Sequence, residues 1–430
     1  MNVIRTTSAT RTARSATRTG PHAGRLAAVA LAGAAVVALA PTAAVAADGD
    51  SRSAAIVTAD AAARVDLGPE LRAVVERGAS TAALGEAREN GRRVWRDSAG
   101  VTDIDSQRPV RADGRFRIGS VTKTFVSTVV LQLVDEGKLR LDDPVEHYLP
   151  GLVPNGGAIT LRQLLNHTSG LYDYLDDPRF LFHDEASLRS YLANRRWTTW
   201  SPAQLIEVGV QGTPYFAPGQ GWHYSNTNYV LLGELVRKVT GRAWQSEVDR
   251  RIVKPLHLDE TTFQNTRTAV PGPHAHGYVT LPEGLADVTR LSPSFGDAAG
   301  NGISTGADLN RFHAALFGGR LLSPARLAEM TTAVPAPMIG AHYGLGLIRY
   351  DLPCGEVWGH TGGLPGYNTV WLGAKDGTRQ FSLSFNLSQG SETEETFTTL
   401  NAFIVKASCG SGAVAGTGDA AANPPLKTLR

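Results

Sequence analysis

The chain has 430 residues, of which 42% are hydrophobic and 19% charged. That composition excludes an intrinsically disordered protein and leaves room for a sizeable core in one large domain or two lobes. The formal net charge is +2, and part of the positive count falls before residue 26, so the remainder is near neutral or slightly acidic and gives no support to nucleic-acid binding.

From the N-terminus, Arg5, Arg11, Arg14, Arg18 and Arg25 form a basic stretch without acids. The apolar run Leu26 to Ala40 follows, then Pro41 and the small-x-small triplet Ala44-Val45-Ala46. This order predicts a signal peptide over residues 1–46 and a secreted protein. The run is short for a spanning helix and Pro41 breaks it, which argues against a retained anchor. It contains no adjacent arginine pair, so the general secretory route is expected rather than twin-arginine export. No later stretch approaches about 18 unbroken apolar residues, so no stable membrane span is expected after cleavage.

Residues 47–63 are small and polar and read as a linker. A short helix is expected near Arg64 to Arg77, carried by Val65, Leu67, Leu71, Val74 and Val75. Two strands should follow around a turn at Asn90-Gly91. Phe125, Val126, Val129, Val130, Leu133 and Val134 recur at three and four and predict a helix from Ser120 to Glu136, capped at Gly137. From about residue 142 to 300 short helices and loops dominate, the clearest being the helix of "NTNYVLLGELVRKVTG" that ends at Gly241. The last third returns to strands: "YGLGLIRYDL", "EVWGH", "YNTVWLGA" and "RQFSLSFNLS". A final helix is expected behind a capping box of Ser391 and Glu394, and residues 410–430 read as a disordered tail. Strands at both ends with helices between them predict an α/β (α+β) catalytic domain over 64–409. One sheet is built from both termini, with a helical insertion at about 142–300.

Three groups of residues carry chemistry. Ser120 and Lys123 lie one helical turn apart, on one face. A serine hydroxyl is a poor nucleophile at neutral pH and needs a base, which a partly desolvated lysine supplies. Tyr224 and Asn226 form a Y-x-N pair just ahead of a helix. His360-Thr361-Gly362-Gly363 ends a predicted strand, where glycine admits close approach of a substrate backbone and its N–H can face a developing oxyanion. Each alone has a structural reading: a helix cap, a turn, a strand-end histidine. All three in this order point to a serine hydrolase.

The stretches "FRIGSVTKTF", "LRQLLNHTSGLYDY", "APGQGWHYSNTNYVLLGELV" and "GHTGGLPGY" resemble the serine β-lactamase and D-alanyl-D-alanine carboxypeptidase family. The class C β-lactamases and, more nearly, the secreted actinomycete-type carboxypeptidases share the pattern, over roughly Arg64 to Cys409. The resemblance implies an antiparallel sheet flanked by helices plus a mostly helical domain. It implies Ser120 as the acylated nucleophile, with Lys123 and Tyr224 handling its proton and Asn226 orienting the substrate amide. His360 would stand in for the lysine that supports Tyr224, and the N–H groups of Ser120 and Gly363 would form the oxyanion hole. Thr361, Phe295 and Arg349 would complete substrate binding. Two departures bear on specificity. Gly363 stands where carboxypeptidases of this kind carry a hydroxyl residue, and Phe295 stands where a tryptophan is usual. H-T-G-G is more frequent among the family's esterases and amidases. Of Ile348 and Arg349, strand alternation lets only one face the cleft.

Competing motifs are weaker. Gly302 to Gly306 matches G-x-S-x-G around Ser304, but the loop before it lacks the β-branched residues of a strand. His274 and His276 form a zinc-like pair without further acids or histidines nearby. His167 reads as a buried, hydrogen-bonded histidine, and His223, beside Tyr224, is expected to point away from the site if that segment is extended. Cys354 and Cys409 are the two cysteines, and an exported chain invites a disulfide between them, two buried thiols being the alternative. The expected activity is an acyl-enzyme hydrolase, D-alanyl-D-alanine carboxypeptidase-like on cell-wall peptides. The runner-up is an esterase, amidase or β-lactamase of the same family, and a penicillin-binding sensor that acylates once is the non-catalytic alternative. A small-molecule or peptide substrate is expected, with no cofactor, metal or nucleic acid.

Overall fold

The hairpin at Asn90-Gly91 sets one edge of the molecule. Both turn residues have positive φ, 49° and 76°, the conformation that a two-residue turn needs to match strand twist. It joins β1 (Ser80–Glu89) to β2 (Arg92–Gly100). The computed structural model describes residues 65–180, 182, 184–388 and 392–410. The expected signal peptide, the linker, Ser391 and the tail from residue 411 lie outside the described residues. No helix among the described residues is long and apolar enough to cross a membrane.

Four further short strands follow: β3 (Phe116–Arg117), β4 (Thr262–Phe263) and the hairpin of β5 (Tyr278–Leu281) with β6 (Gly284–Asp287). The next strand, β7 (Gly302–Ser304), pairs between β3 and β4. The last third supplies β8 (Val334–Ala336), β9 (Ala341–Tyr343), β10 (Ile348–Leu352), β11 (Gly355–Leu364), β12 (Tyr367–Ala374) and β13 (Arg379–Leu387). These six join the N-terminal hairpin in an eight-stranded sheet of order β2-β1-β13-β12-β11-β10-β9-β8. Neighbouring strands are antiparallel throughout. The α+β class is therefore as expected, and both ends of the chain meet where β1 pairs with β13.

Alternation along β13 sorts its side chains. Phe381, Leu383, Phe385 and Leu387 face the helices Gly68–Glu76 and Glu394–Cys409, packing on Leu71, Val74, Leu400, Phe403 and Ile404. The intervening Ser382, Ser384 and Asn386 are buried as well, because helix Gly306–Phe317 covers the other face. A Cβ at Gly306 would stand 2.6 Å from Ser382 Oγ. The closing helix is capped two residues later than expected: Thr393 Oγ1 accepts from the Thr396 N–H, and Thr396 Oγ1 accepts from the Thr393 N–H. Its last residue, Cys409, is disulfide-bonded to Cys354 in the β10–β11 turn, with a Cα–Cα distance of 5.4 Å.

On the covered face of the sheet lies helix Thr122–Asp135, buried on nearly every side, with Thr122, Lys123, Thr124, Ser127 and Thr128 buried among its apolar residues, the position of a helix at the centre of a core. Gly137 ends it in the left-handed conformation, φ 69°, with its N–H bonded to Val134 O at 3.0 Å. Helix Asn226–Thr240 packs beside it and ends at Gly241, φ 71°.

Candidate active site

Ser120 sits in the tight 3-10 turn Gly119–Val121, and the α-helix begins two residues after it, at Thr122. One turn further on, Lys123 is 0% exposed. Its Nζ lies 3.0 Å from Ser120 Oγ, 2.7 Å from Asn226 Oδ1 and 2.7 Å from the Ala299 carbonyl oxygen. Two of these partners can only accept, and the third is a hydroxyl. A neutral amine satisfies that set completely, giving its two hydrogens to Asn226 and Ala299 and turning its lone pair to the Ser120 proton. Burial pushes Lys123 down to about 7, against the opposing pull of Asp173. Near neutral pH the lysine is therefore poised to take the serine proton.

Asn226 cannot be turned round. Its Oδ1 accepts an N–H of Lys123, and its Nδ2 donates to Asp173 Oδ2 at 2.8 Å. Asp173 is 6% exposed and caps the turn Tyr174–Asp176 through Leu175 N–H. Burial raises its carboxyl to about 6. The sequence reading missed this residue, although an acid between the two tyrosines Tyr172 and Tyr174 was the available signal.

Tyr224 stacks on His167 at 4.3 Å between ring centroids, and Lys123 Nζ lies 4.8 Å from the Tyr224 ring centre. Its hydroxyl is buried without a well-formed hydrogen bond. Burial lifts the phenol well above its ordinary value, although Ser120 beside it favours ionisation, so Tyr224 keeps its proton at neutral pH. His167 is buried as expected: its Nδ1 accepts from Ser225 N–H at 3.1 Å, and burial holds it neutral. His360 Nδ1 donates to the Thr361 carbonyl at 2.5 Å, and its Nε2 accepts from Tyr343 OH at 2.8 Å. Burial, with Lys123 nearby, pushes His360 down to about 3. His360 is thus a neutral imidazole 6.3 Å from Tyr224 between ring centroids, and its hydrogen bond goes to Tyr343. Nothing in the sequence pattern marked Tyr343, which reaches the site from β9.

The glycines of β11 have a steric cause. A Cβ on Gly362 would stand 2.0 Å from Ile118 O, and one on Gly119 would stand 2.7 Å from Gly363 N. The strand backbone rests directly on the backbone of the serine turn. This brings the Gly363 amide close beside the turn that carries Ser120.

These groups open onto a cleft of about 460 Å³ lined by Ser120, Tyr224, Asn226, His360, Thr361 and Gly363 among others. Phe295 lines it too, its carbonyl accepting from Tyr174 OH at 2.5 Å. Asp173, Asp176 and Glu392 stand in its wall, and no lysine or arginine does among the described residues. Arg349 corrects the expectation placed on it. Ile348 faces the cleft, while Arg349 turns to the opposite face and pairs with Asp351 and Glu356 at 3.1 and 3.4 Å. Pairing with Tyr343 and Gly359 fixes Ile348 in that orientation. His223 is a second correction: it lines the cleft, stacked on Tyr215 at 3.5 Å.

Ser304 does lie between a strand, β7, and the helix Gly306–Phe317, contrary to expectation, because Phe116 and Thr262 supply pairing partners for so short a segment. It is 0% exposed and its Oγ is 2.8 Å from Thr261 Oγ1, so no substrate reaches it. His276 Nδ1 lies 2.7 Å from Asp287 Oδ2 with the His274 ring stacked 5.7 Å away, apart from the residues of the cleft.

Residues 71–402 match the family described as Beta-lactamase. The chain is 29% identical over 326 residues to Penicillin-binding protein 4* of Bacillus subtilis (strain 168), covering 72% of this chain and 69% of that protein. It is 32% identical over 228 residues to Esterase EstB of Burkholderia gladioli, covering 48% of this chain and 56% of the esterase. A solved D-stereospecific amidohydrolase from Streptomyces sp. superposes with a TM-score of 0.71 at 40% identity, covering 80% of this chain and 98% of that one. With a cleft serine bonded to a buried lysine, a tyrosine beside it and a family match over most of its length, the chain belongs to the beta-lactamase family and is a serine hydrolase.

Proposed function

We propose that the protein hydrolyses amides and esters of D-amino acids and short D-residue peptides through an acyl-enzyme on Ser120. Lys123 takes the Ser120 proton as Oγ attacks the carbonyl carbon. The N–H groups of Ser120 and Gly363 receive the charge that develops on the carbonyl oxygen. Tyr224, protonated at neutral pH, donates to the leaving amine or alkoxide, and water then attacks the ester by the reverse transfers. His360 acts through Tyr343 and the Thr361 carbonyl, holding the strand that carries Gly363. Phe295, Ile348 and Leu364 line the walls available to the acyl side chain.

The observation that carries this choice is the charge of the cleft. Three acids and no cation line it among the described residues, and the five internal positions outside the description, 181, 183 and 389–391, carry no lysine or arginine in sequence. A protonated α-amine is favoured there, whereas a free C-terminal carboxylate finds no partner. The D-stereospecificity named for the Streptomyces relative supports the same reading. Carboxypeptidase action on D-alanyl-D-alanine peptides is the second reading, favoured by the penicillin-binding relative. The basic and apolar leader over residues 1–46 supports export, which intact mass of the mature protein from culture supernatant tests by the loss of that leader.

The deciding assay compares D-phenylalanine amide, its L-enantiomer, N-acetyl-D-phenylalanine amide and a D-Ala-D-Ala peptide with a free carboxylate. The D-amide with its free amine is expected to have the highest kcat/KM. Loss of one charge-assisted contact on N-acetylation should lower it roughly 10- to 100-fold. A D-Ala-D-Ala peptide cleaved a hundredfold better than the D-amide would establish the carboxypeptidase reading instead.

A further inference from the structure

A second cavity, of about 410 Å³, is lined by Arg196, Trp197, Ala269, Val270, His274, His276, Asp287, Thr289 and Arg290. Its chemistry is lopsided. Asp287, the acid in its wall, has both oxygens engaged, accepting from Thr289 N–H at 2.7 Å and lying 2.7 Å from His276 Nδ1. Arg196 and Arg290 pair with no carboxylate among the described residues. Arg196 donates through Nη1 to the Asp287 backbone carbonyl at 2.6 Å, while its Nε is buried without a partner.

Behind the wall at Thr289 stands a third arginine. Arg117 is 1% exposed, and its Nη2 donates to the carbonyls of Thr268 and Thr289 at 2.6 and 3.1 Å. Its Nε and Nη1 have no partner, and neither does the buried hydroxyl of Tyr191, which lies within electrostatic reach of Arg117 and Arg196. Arg117, too, pairs with no carboxylate among the described residues. The unmet groups are three guanidinium nitrogens, with four N–H groups between them, and a hydroxyl that can donate. Buried donors are almost always matched, and a buried charge is paired. What this region lacks is an acceptor carrying negative charge.

We propose that this cavity binds a small oxyanion, a carboxylate or a phosphate, between Arg196 and Arg290, with the buried charge of Arg117 behind its wall adding to the positive potential. Trp197, 42% exposed at the cavity wall and stacked under Arg196 at 4.5 Å, supplies a flat surface for a ring attached to that anion. Arginine presents its N–H groups in a fork that fits both carboxylate and phosphate. The site is independent of the substrate read from the Ser120 cleft.

The full chain is titrated with inorganic phosphate, phenyl phosphate and benzoate, with sodium chloride at matched ionic strength as the control, following the thermal midpoint and the heat of binding. Phosphate and benzoate should raise the midpoint saturably where chloride does not, and phenyl phosphate should bind more tightly than inorganic phosphate. Arg290→Ala, on an exposed side chain that the fold does not need, should weaken binding roughly tenfold or more. Trp197→Ala should abolish the preference for the phenyl compound. Hydrolysis by both variants in phosphate-free buffer should match the wild type. Equal responses to phosphate and chloride, or an unchanged affinity in Arg290→Ala, would overturn the site. So would a crystal structure grown in phosphate with water alone between Arg196 and Arg290.

Discussion

Replacing Asp173 by asparagine removes one charge and keeps the size of the side chain. The carboxylate and the Lys123 ammonium are joined through the Asn226 amide, with contacts of 2.8 and 2.7 Å at its two ends. Adding the width of an amide places the two charges about 6–7 Å apart. At an effective dielectric of about 20 that is about 2.5 kcal/mol, and solvent in the cleft lowers it, leaving about 1–2 pH units on the lysine. The sign follows from the charges: the carboxylate favours the ammonium, so its loss lets Lys123 release its proton at lower pH. In the wild type, Lys123 near 7 and Asp173 near 6 titrate as a pair. The acid limb of kcat/KM for an amide substrate should therefore move down by about 1–2 pH units in Asp173→Asn and simplify towards a single ionisation. The plateau should also fall, because the new amide presents an N–H where Asn226 already donates. Profiles taken from pH 5 to 9 decide the matter. A limb that stays in place, or moves up, refutes the link between Asp173 and the lysine.

Four further outcomes follow from the geometry. Ser120→Ala should end covalent labelling by a fluorophosphonate or fluorescent penicillin, whereas Ser304→Ala, whose hydroxyl is buried against Thr261, should label normally. Gly362→Ala puts a methyl group 2.0 Å from Ile118 O, so the strand must retreat from the serine turn, and kcat should drop by about 10²–10³ in protein that remains folded by circular dichroism. His313 is buried and pushed down to about 4 by that burial, so unfolding takes up its proton below its usual value of about 6.5. In denaturant titrations, wild type should lose about 1 kcal/mol more per pH unit than His313→Gln on going from pH 6.5 towards 5, and parallel curves would refute this. Cys354→Ser opens a bridge spanning 55 residues and should cost about 4 kcal/mol of stability, read from urea midpoints, while Arg379, which donates to Ser408 O at 3.1 Å and to Glu89 Oε1 at 2.7 Å, and the helix packing keep the fold in place.

What could be read from the sequence follows a physical divide. The hairpin at Asn90-Gly91, the ends of two helices at Gly137 and Gly241, and the alternation of β13 are local, each set by backbone conformation or side-chain period within a few residues. Ser120, Lys123, Tyr224, Asn226 and His360 were legible for a similar reason, since each lies in a short motif whose spacing survives translation into geometry. Asp173 and Tyr343 were not. Asp173 meets Asn226 across 53 residues of chain, and Tyr343 reaches His360 through two strand pairings, from β9 to β10 and on to β11. Arg349 shows the limit most directly. Alternation reduced the question to Ile348 or Arg349, and only the ladder with Gly359 and Tyr343 could answer it. His223 was misplaced because the expectation took the segment before helix Asn226–Thr240 as a regular strand, whereas it is irregular and lets neighbouring side chains share one side.

Where β11 rests on the serine turn, main chain meets main chain with no side chain between them. The spacing of nucleophile and amide donor is thus a property of atomic radii, which no substitution of side chains can retune by small steps. The opposite walls of the cleft are made of side chains, among them Phe295, Ile348 and Leu364, and these can be exchanged one at a time without disturbing that spacing. Selection for a new substrate can therefore act on the walls while the reaction itself is inherited intact. On this architecture, a change of acyl preference should arise by single substitutions at the walls far more often than a change of bond-breaking chemistry.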